Sequence, residues 1–222
     1  MLDKIICALD SSDLDSATTT VQRLSPYIKH FKIGHSLVLA HSLNVIAKLQ
    51  DAGAEKIFLD LKFHDIPNTV AGAVKEAAKY GVWMTTLHTA GGSEMMQAAA
   101  DVPDRPLLMG VSVLTSLDES ELAQVGVSRT VEDQMMRMSA LAIKCGIDGV
   151  ISSPLEILSL RTSLGSKPLI VTPGIRLPGG ESHDQKRFAT PHQAIADGAS
   201  FLVMGRALTD AEDVDFVIDQ LK

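Results

Sequence analysis

A chain of 222 residues with 45% hydrophobic and 21% charged side chains has the composition of an ordinary globular protein. Its formal charge of −7, with no basic block, weighs against a nucleic-acid polymer as partner. No apolar run approaches the roughly 18 residues that span a bilayer, so no membrane segment is expected.

The opening MLDKIICALD turns acidic early, unlike a secretory signal, and a cytoplasmic location is expected. At roughly 150 residues per domain, residues 1–222 fit one domain better than two. Cys7 and Cys145 sit in apolar runs and read as core rather than as a disulfide.

Short apolar runs alternate with amphipathic stretches along the chain. Lys4–Leu9 precedes a helix-like Asp13–Leu24, His30–Gly34 precedes Ser36–Ala52, and Lys56–Leu61 precedes Thr69–Tyr80. Val82–Leu87 and Leu107–Val113 follow. The helical Val131–Cys145 then repeats Met135, Met138, Ala142 and Cys145 at spacings of three and four, as a packed face requires. Gly149–Ser152, Pro168–Val171 and Phe201–Met204 complete eight apolar runs. Ser153-Pro154 and Thr190-Pro191 read as helix starts, each a hydroxyl cap before a proline. Gly53, Gly146 and Gly198 read as helix ends.

Eight Val-, Ile- and Leu-rich strands interleaved with helices predict an α/β fold, a closed (β/α)8 TIM barrel. An open doubly wound sheet fits less well, because CALDSSDLD stands where a G-x-G-x-x-G turn would follow the first strand. In such a barrel the active site occupies the C-terminal ends of the strands, with phosphate held around strands seven and eight.

At those ends stand Asp10 after strand one, Lys32 on strand two, and Asp60 and Lys62 in FLDLKFHDIPNT of strand three. Alternation puts Asp60 and Lys62 on one face while Leu59 and Leu61 turn toward the helices. Asp65 follows in the turn, folding back over the same pocket or reaching into a neighbour's. An array of alternating acids and lysines holds each lysine protonated, suited to donating a proton or stabilising an anion rather than forming a Schiff base. The competing reading is a rim network that only fixes strand ends. Five residues over three strand ends favour chemistry, because such a network is readily replaced by apolar side chains.

Strand seven leads into VTPGIRLPGGESHDQKR, with Arg176 near the start of the loop and Gln185 near its end; strand eight ends VMGRAL with Gly205 and Arg206. A glycine lets the backbone approach an anion, the following helix offers unpaired N–H groups, and an arginine adds a forked contact. Thr115 and His88 close strands five and four and are weaker candidates. His30, His35 and His41 cluster in sequence without cysteine partners, and are read as separate rim or surface side chains, not a metal site.

These segments resemble orotidine 5′-phosphate decarboxylase of the bacterial type over essentially the full length. Asp60-x-Lys62-x-x-Asp65-Ile66-Pro67-x-Thr69 matches the family's most specific motif, and CALD, FKIG, GVSVLTS, TPGIR, DQKR and VMGR fall around it in family order. The resemblance implies a cofactor-independent barrel lyase converting orotidine 5′-phosphate to uridine 5′-phosphate and CO2. It implies Lys62 as proton donor, Asp60 beside the departing carboxylate, Lys32 holding the charge array and ribose, and Asp10 and Thr115 contacting the nucleotide. It further implies Arg176, Gln185, Gly205 and Arg206 as the phosphate grip. A homodimer is implied, in which Asp65 and Thr69 serve the neighbouring site, and Ile66 of the same motif is implied as a substrate-binding residue. The nearest alternative is a magnesium-dependent 3-keto sugar phosphate decarboxylase, which shares the Asp-x-Lys-x-x-Asp core.

Overall fold

The computed structural model describes residues 1–177 and 189–222. Eight parallel strands close into a barrel in sequence order, β8 returning to pair with β1. They are β1 Ile5–Leu9, β2 His30–Gly34, β3 Lys56–Phe63, β4 Met84–His88, β5 Leu107–Val111, β6 Gly149–Ile151, β7 Leu169–Thr172 and β8 Phe201–Met204. Between and after them run α1 Leu14–Leu24, α2 His35–His41, α3 Val45–Asp51, α4 Pro67–Lys79, α5 Gly92–Ala100, α6 Glu119–Gln124, α7 Val131–Lys144, α8 Ile157–Leu164, α9 Pro191–Ala196, α10 Arg206–Thr209 and α11 Val214–Asp219. Closure leaves no sheet edge, and helices cover the outer face.

The strands read as continuous apolar runs because both of their faces are buried. One face fills the barrel: Ile6, Phe58, Met84, Met109 and Val171 form an interior cluster. The other, with Cys7, Phe31, Ile33 and Ile57, packs against helix residues such as Val21, Leu49 and Leu160. At the N-terminal end His30 is buried, its ring 4.7 Å from that of Trp83 and 5.6 Å from that of Phe201. His30 is therefore a floor residue, not a surface one, while His41 bonds the Ser12 carbonyl. No group of His, Cys, Asp and Glu among the described residues could hold a metal ion. No helix among them is long and apolar enough to cross a membrane.

Caps follow the sequence where hydroxyls or carboxylates precede a helix. Thr190 accepts from the Gln193 N–H at 3.3 Å ahead of α9, and Asp13 caps α1. The expected helix Ser36–Ala52 is instead two helices, broken at Ser42, whose φ is 60°. Its Oγ accepts from the Asn44 N–H at 3.3 Å, a local bond that competes with helical continuation. On α7 Met138 is only half-buried, and Ser139 takes the inward position. β5 ends at Val111, short of the expected Val113, and β3 extends to Phe63.

Gly149 lies where β6 approaches β7 so closely that a Cβ would run into the Leu169 carbonyl. The obstructing atoms are the Leu169 carbonyl and Cβ, which cannot swing aside as the end of a flexible side chain can. Gly149→Ala is expected to destabilise the barrel by about 1–3 kcal/mol, read as a lowered thermal or urea midpoint; an unchanged midpoint would refute this contact.

Candidate active site

The C-terminal ends of the strands surround a cavity of about 770 Å³, within the range of roughly 300–1,000 Å³ typical of small-molecule sites. Strand alternation builds its wall. Ala8, Val111, Ile151 and Val203, with Phe58 of the interior cluster, form the apolar base. The polar residues that follow them form the mouth.

Lys32, on β2, lies between two acids, its Nζ 2.8 Å from Asp10 Oδ1 and 3.7 Å from Asp60 Oδ2. Lys62 Nζ donates to Asp60 Oδ1 at 2.9 Å. Asp10, Lys32, Asp60 and Lys62 thus form a continuous chain of alternating charge across β1, β2 and β3. Only 12% of the Lys32 side chain and 15% of the Asp60 side chain meet solvent, against 32% for Lys62. Burial opposes ionisation of Asp60, yet the charges of Lys32 and Lys62, with hydrogen bonds from Lys62 and Thr86, outweigh it and hold this carboxyl below its ordinary pKa. Asp60 is therefore a carboxylate throughout the neutral range.

Asp60 and Lys62 do meet, but not by simple alternation. β3 pairs with β4 as Leu59 with Thr85 and then Phe63 with Leu87, so β3 carries two more residues than its partner across this stretch. The excess bulges, and Lys62 takes φ +50°. A left-handed conformation costs a side-chain-bearing residue about 1–2 kcal/mol. Its backbone N–H, turned out of the strand ladder, is accepted by Thr86 Oγ1 at 2.8 Å. Thr86 was not among the residues expected to matter. Alternation back from His88 would have aimed it inward; the bulge that gives it a second partner has no counterpart in residue type.

At the opposite side of the cavity lie Arg176, after β7, and Gly205 and Arg206, after β8. The Arg176 guanidinium donates to the Ile175 carbonyl at 3.1 Å. Thr115 also lines the cavity, four residues past the end of β5. Gln185 lies outside the described residues. Ser152, Ser153 and Glu156, after β6, line the wall as well; the sequence marked Ser153 only as a helix cap, and the Ser153 N–H does donate to Glu156 at 2.9 Å.

Asp65, Ile66 and Thr69 are exposed and do not line this cavity. Asp65 and Thr69 border a second, smaller hollow of about 320 Å³ on the outer side of Lys62, which lines both. His88 also stands apart from the main cavity, its ring 5.4 Å from that of His64. Burial, then the charges of His64 and Lys62, lowers the pKa of His88 below the ordinary histidine value. Cys7 is buried and its thiol is pushed up to about 12, chiefly by desolvation and then by Asp10; it is a packing residue.

Residues 3–220 match the model of the orotidine 5′-phosphate decarboxylase / HUMPS family. An orotidine 5′-phosphate decarboxylase of Pseudoalteromonas translucida (strain TAC 125) is 46% identical over 215 residues, spanning 95% of this chain and 92% of that protein. One from Legionella pneumophila (strain Corby) is 43% identical over 226 residues, spanning 100% and 98%. The crystal structure of orotidine 5′-phosphate decarboxylase from Lactobacillus acidophilus matches with a TM-score of 0.86 and 35% identity, covering 98% of this chain and 96% of that one. A crystal structure of an uncharacterized conserved protein from Geobacillus kaustophilus matches with a TM-score of 0.86 and 32% identity, covering 98% and 97%. With sequence, fold and strand-end chemistry in agreement over nearly its full length, the chain belongs to the orotidine 5′-phosphate decarboxylase / HUMPS family.

Proposed function

We propose that this cavity converts orotidine 5′-phosphate to uridine 5′-phosphate and CO2, with Lys62 as the proton donor. The observation that carries the reading is the Lys62 ammonium bound to Asp60 at 2.9 Å, in a cavity whose far side holds Arg176 and Arg206. In the reaction the bond from C6 to the carboxylate carbon breaks and CO2 leaves. The electron pair stays on C6, and a proton from Lys62 Nζ replaces the lost group. The pyrimidine offers no adjacent electron sink, so a fixed positive charge beside C6 supplies the stabilisation. Lys62 is suited to this because its bond to Asp60 fixes the ammonium at the mouth of the cavity. Asp60 also places a like charge beside the departing carboxylate.

Arg176, Gly205 and Arg206 take the phosphate in this reading, with Gln185 completing the grip. Asp10 and Lys32 hold the ribose, and Thr115 the nucleotide. Phosphate binding energy, gathered far from C6, orients the ring against Lys62. A magnesium-dependent reaction on a 3-keto sugar phosphate would need Asp10 and Asp60 as oxygen ligands. Both instead bind lysine ammonium groups, at 2.8 and 2.9 Å. Lys32 and Lys62 already neutralise these carboxylates, which disfavours a divalent cation between them.

Two copies complete the site in this reading, each lending Asp65, Ile66 and Thr69 to the other. Support comes from the hollow shared by Lys62, Asp65 and Thr69, and from Ile66, an isoleucine 67% exposed beside it.

Purified protein is expected to consume orotidine 5′-phosphate, followed as the fall in pyrimidine absorbance, equally well in excess chelator; loss of turnover on chelation would restore the metal reading. Lys62→Ala is expected to lower kcat by about 10³-fold or more, and near-normal turnover would remove Lys62 from the chemistry. Mixing inactive Lys62→Ala with inactive Asp65→Ala, after subunit exchange, is expected to recover about a quarter of wild-type activity, since half the dimers carry one intact site. No recovery between exchanging subunits would place Asp65 in its own chain's site.

A further inference from the structure

The hydroxyl of Thr86 touches both partners of the reacting pair. It donates to Asp60 Oδ1 at 2.9 Å and accepts the Lys62 backbone N–H at 2.8 Å. The same Asp60 oxygen accepts from Lys62 Nζ at 2.9 Å. The result is a closed ring running from the Lys62 backbone through Thr86 and Asp60 to the Lys62 ammonium. Thr86 is wholly buried in β4 and lines no part of the cavity.

We propose that Thr86 is a positioning residue for the decarboxylation, setting the Asp60 carboxylate and the left-handed Lys62 backbone in one register so that the ammonium is presented at a single point. The proposal rests on the decarboxylase reading of the site. Its physical basis is the bulge. Where β3 carries two additional residues, the ladder cannot serve every backbone group, and a buried N–H without an acceptor is costly. Two adjacent threonines of β4 take over. Thr85 Oγ1 donates to the Leu59 carbonyl at 2.8 Å, while Thr86, one residue on and therefore on the other face of the strand, serves Lys62 and Asp60. A hydroxyl alone can do this, because it donates and accepts at once. Valine fills the same space and does neither.

Without that hydroxyl, Asp60 Oδ1 keeps only the flexible lysine chain, and the Lys62 N–H has no acceptor. The bulge then relaxes and the ammonium shifts. Misplacement of a catalytic group by about 1 Å costs on the order of 10²-fold in rate. The phosphate contacts, on the far side of the cavity, are untouched.

The test measures steady-state turnover of orotidine 5′-phosphate, equilibrium binding of uridine 5′-phosphate and thermal melting for wild type, Thr86→Val, Thr86→Ser and Thr85→Val. Thr86→Val is expected to lower kcat by about 10- to 100-fold, with KM and product affinity within about threefold of wild type. Thr86→Ser restores kcat to within about threefold. Thr85→Val, which removes a comparable buried bond on the other face, lowers the melting temperature and leaves kcat within about threefold. Thr86→Val at wild-type kcat, a loss confined to KM, or a serine variant as impaired as the valine one would each overturn the proposal. If the valine variant does not fold, the serine variant decides: a fall in kcat beyond about tenfold overturns it. Wild-type turnover in the same assay carries the underlying reading, so its absence overturns decarboxylation rather than the role of Thr86.

Discussion

An ammonium group beside a carboxylate in a half-dry cavity is stable only if each charge answers the other, and the mouth of this barrel is organised around that requirement. Asp60 sits where water cannot solvate it fully, and it stays ionised because Lys32 and Lys62 flank it. The lysines in turn are each paired with an acid. Removing one member of such a set leaves its partner buried and uncompensated, at a cost of about 3–5 kcal/mol for a fully buried pair. The set is therefore self-enforcing. It can be supplied only by strands held in fixed register, and the parallel pairing of β1, β2 and β3 provides this, aligning Ala8 with Lys32 and Gly34 with Asp60.

The barrel separates two tasks that would conflict on one element. Charge chemistry belongs to the ends of β1 to β3, and anion capture to the segments after β7 and β8. Closure makes these distant stretches of sequence neighbours across one cavity, since β8 pairs with β1. A ligand spanning both sides is oriented by its remote end while its reactive end meets a group that was placed beforehand. Local strain follows the same division. Lys62 adopts a left-handed backbone at the chemical end, held there by side-chain bonds from the next strand.

Much of this was legible from residue order. The eight strands show as Val-, Ile- and Leu-rich runs because burial on both faces admits little else. Asp10, Lys32, Asp60 and Lys62 interrupt those runs where the strands end, and their pairing as a charged set is legible there, although the bulge rather than alternation brings the last two together. What remained hidden was backbone geometry. A lysine at positive φ carries no glycine, asparagine or aspartate to announce it, and the surplus residues of β3 look like ordinary strand. Thr86 is silent in the sequence for a related reason: a threonine in MTTLH reads as a β-branched strand former, and its hydroxyl gains meaning only once the bulge turns Lys62 N–H toward it. Residue pattern also ran Ser36–Ala52 as one helix, since its apolar spacing continues across the break at Ser42. Asp65, Ile66 and Thr69 were legible as a motif but not as a location, because they lie away from the main cavity of their own chain.

The only tryptophan of the chain, Trp83, lies half-buried at the barrel floor with His30, Phe201 and the Lys56 ammonium, the last 5.1 Å from its ring centre. It is thereby insulated by the interior layer of Phe58, Met84 and Met109 from whatever enters the mouth. Its fluorescence is thus set by the packing of that floor, so a variant that loosens the barrel announces itself there even when its reaction-centre residues are intact.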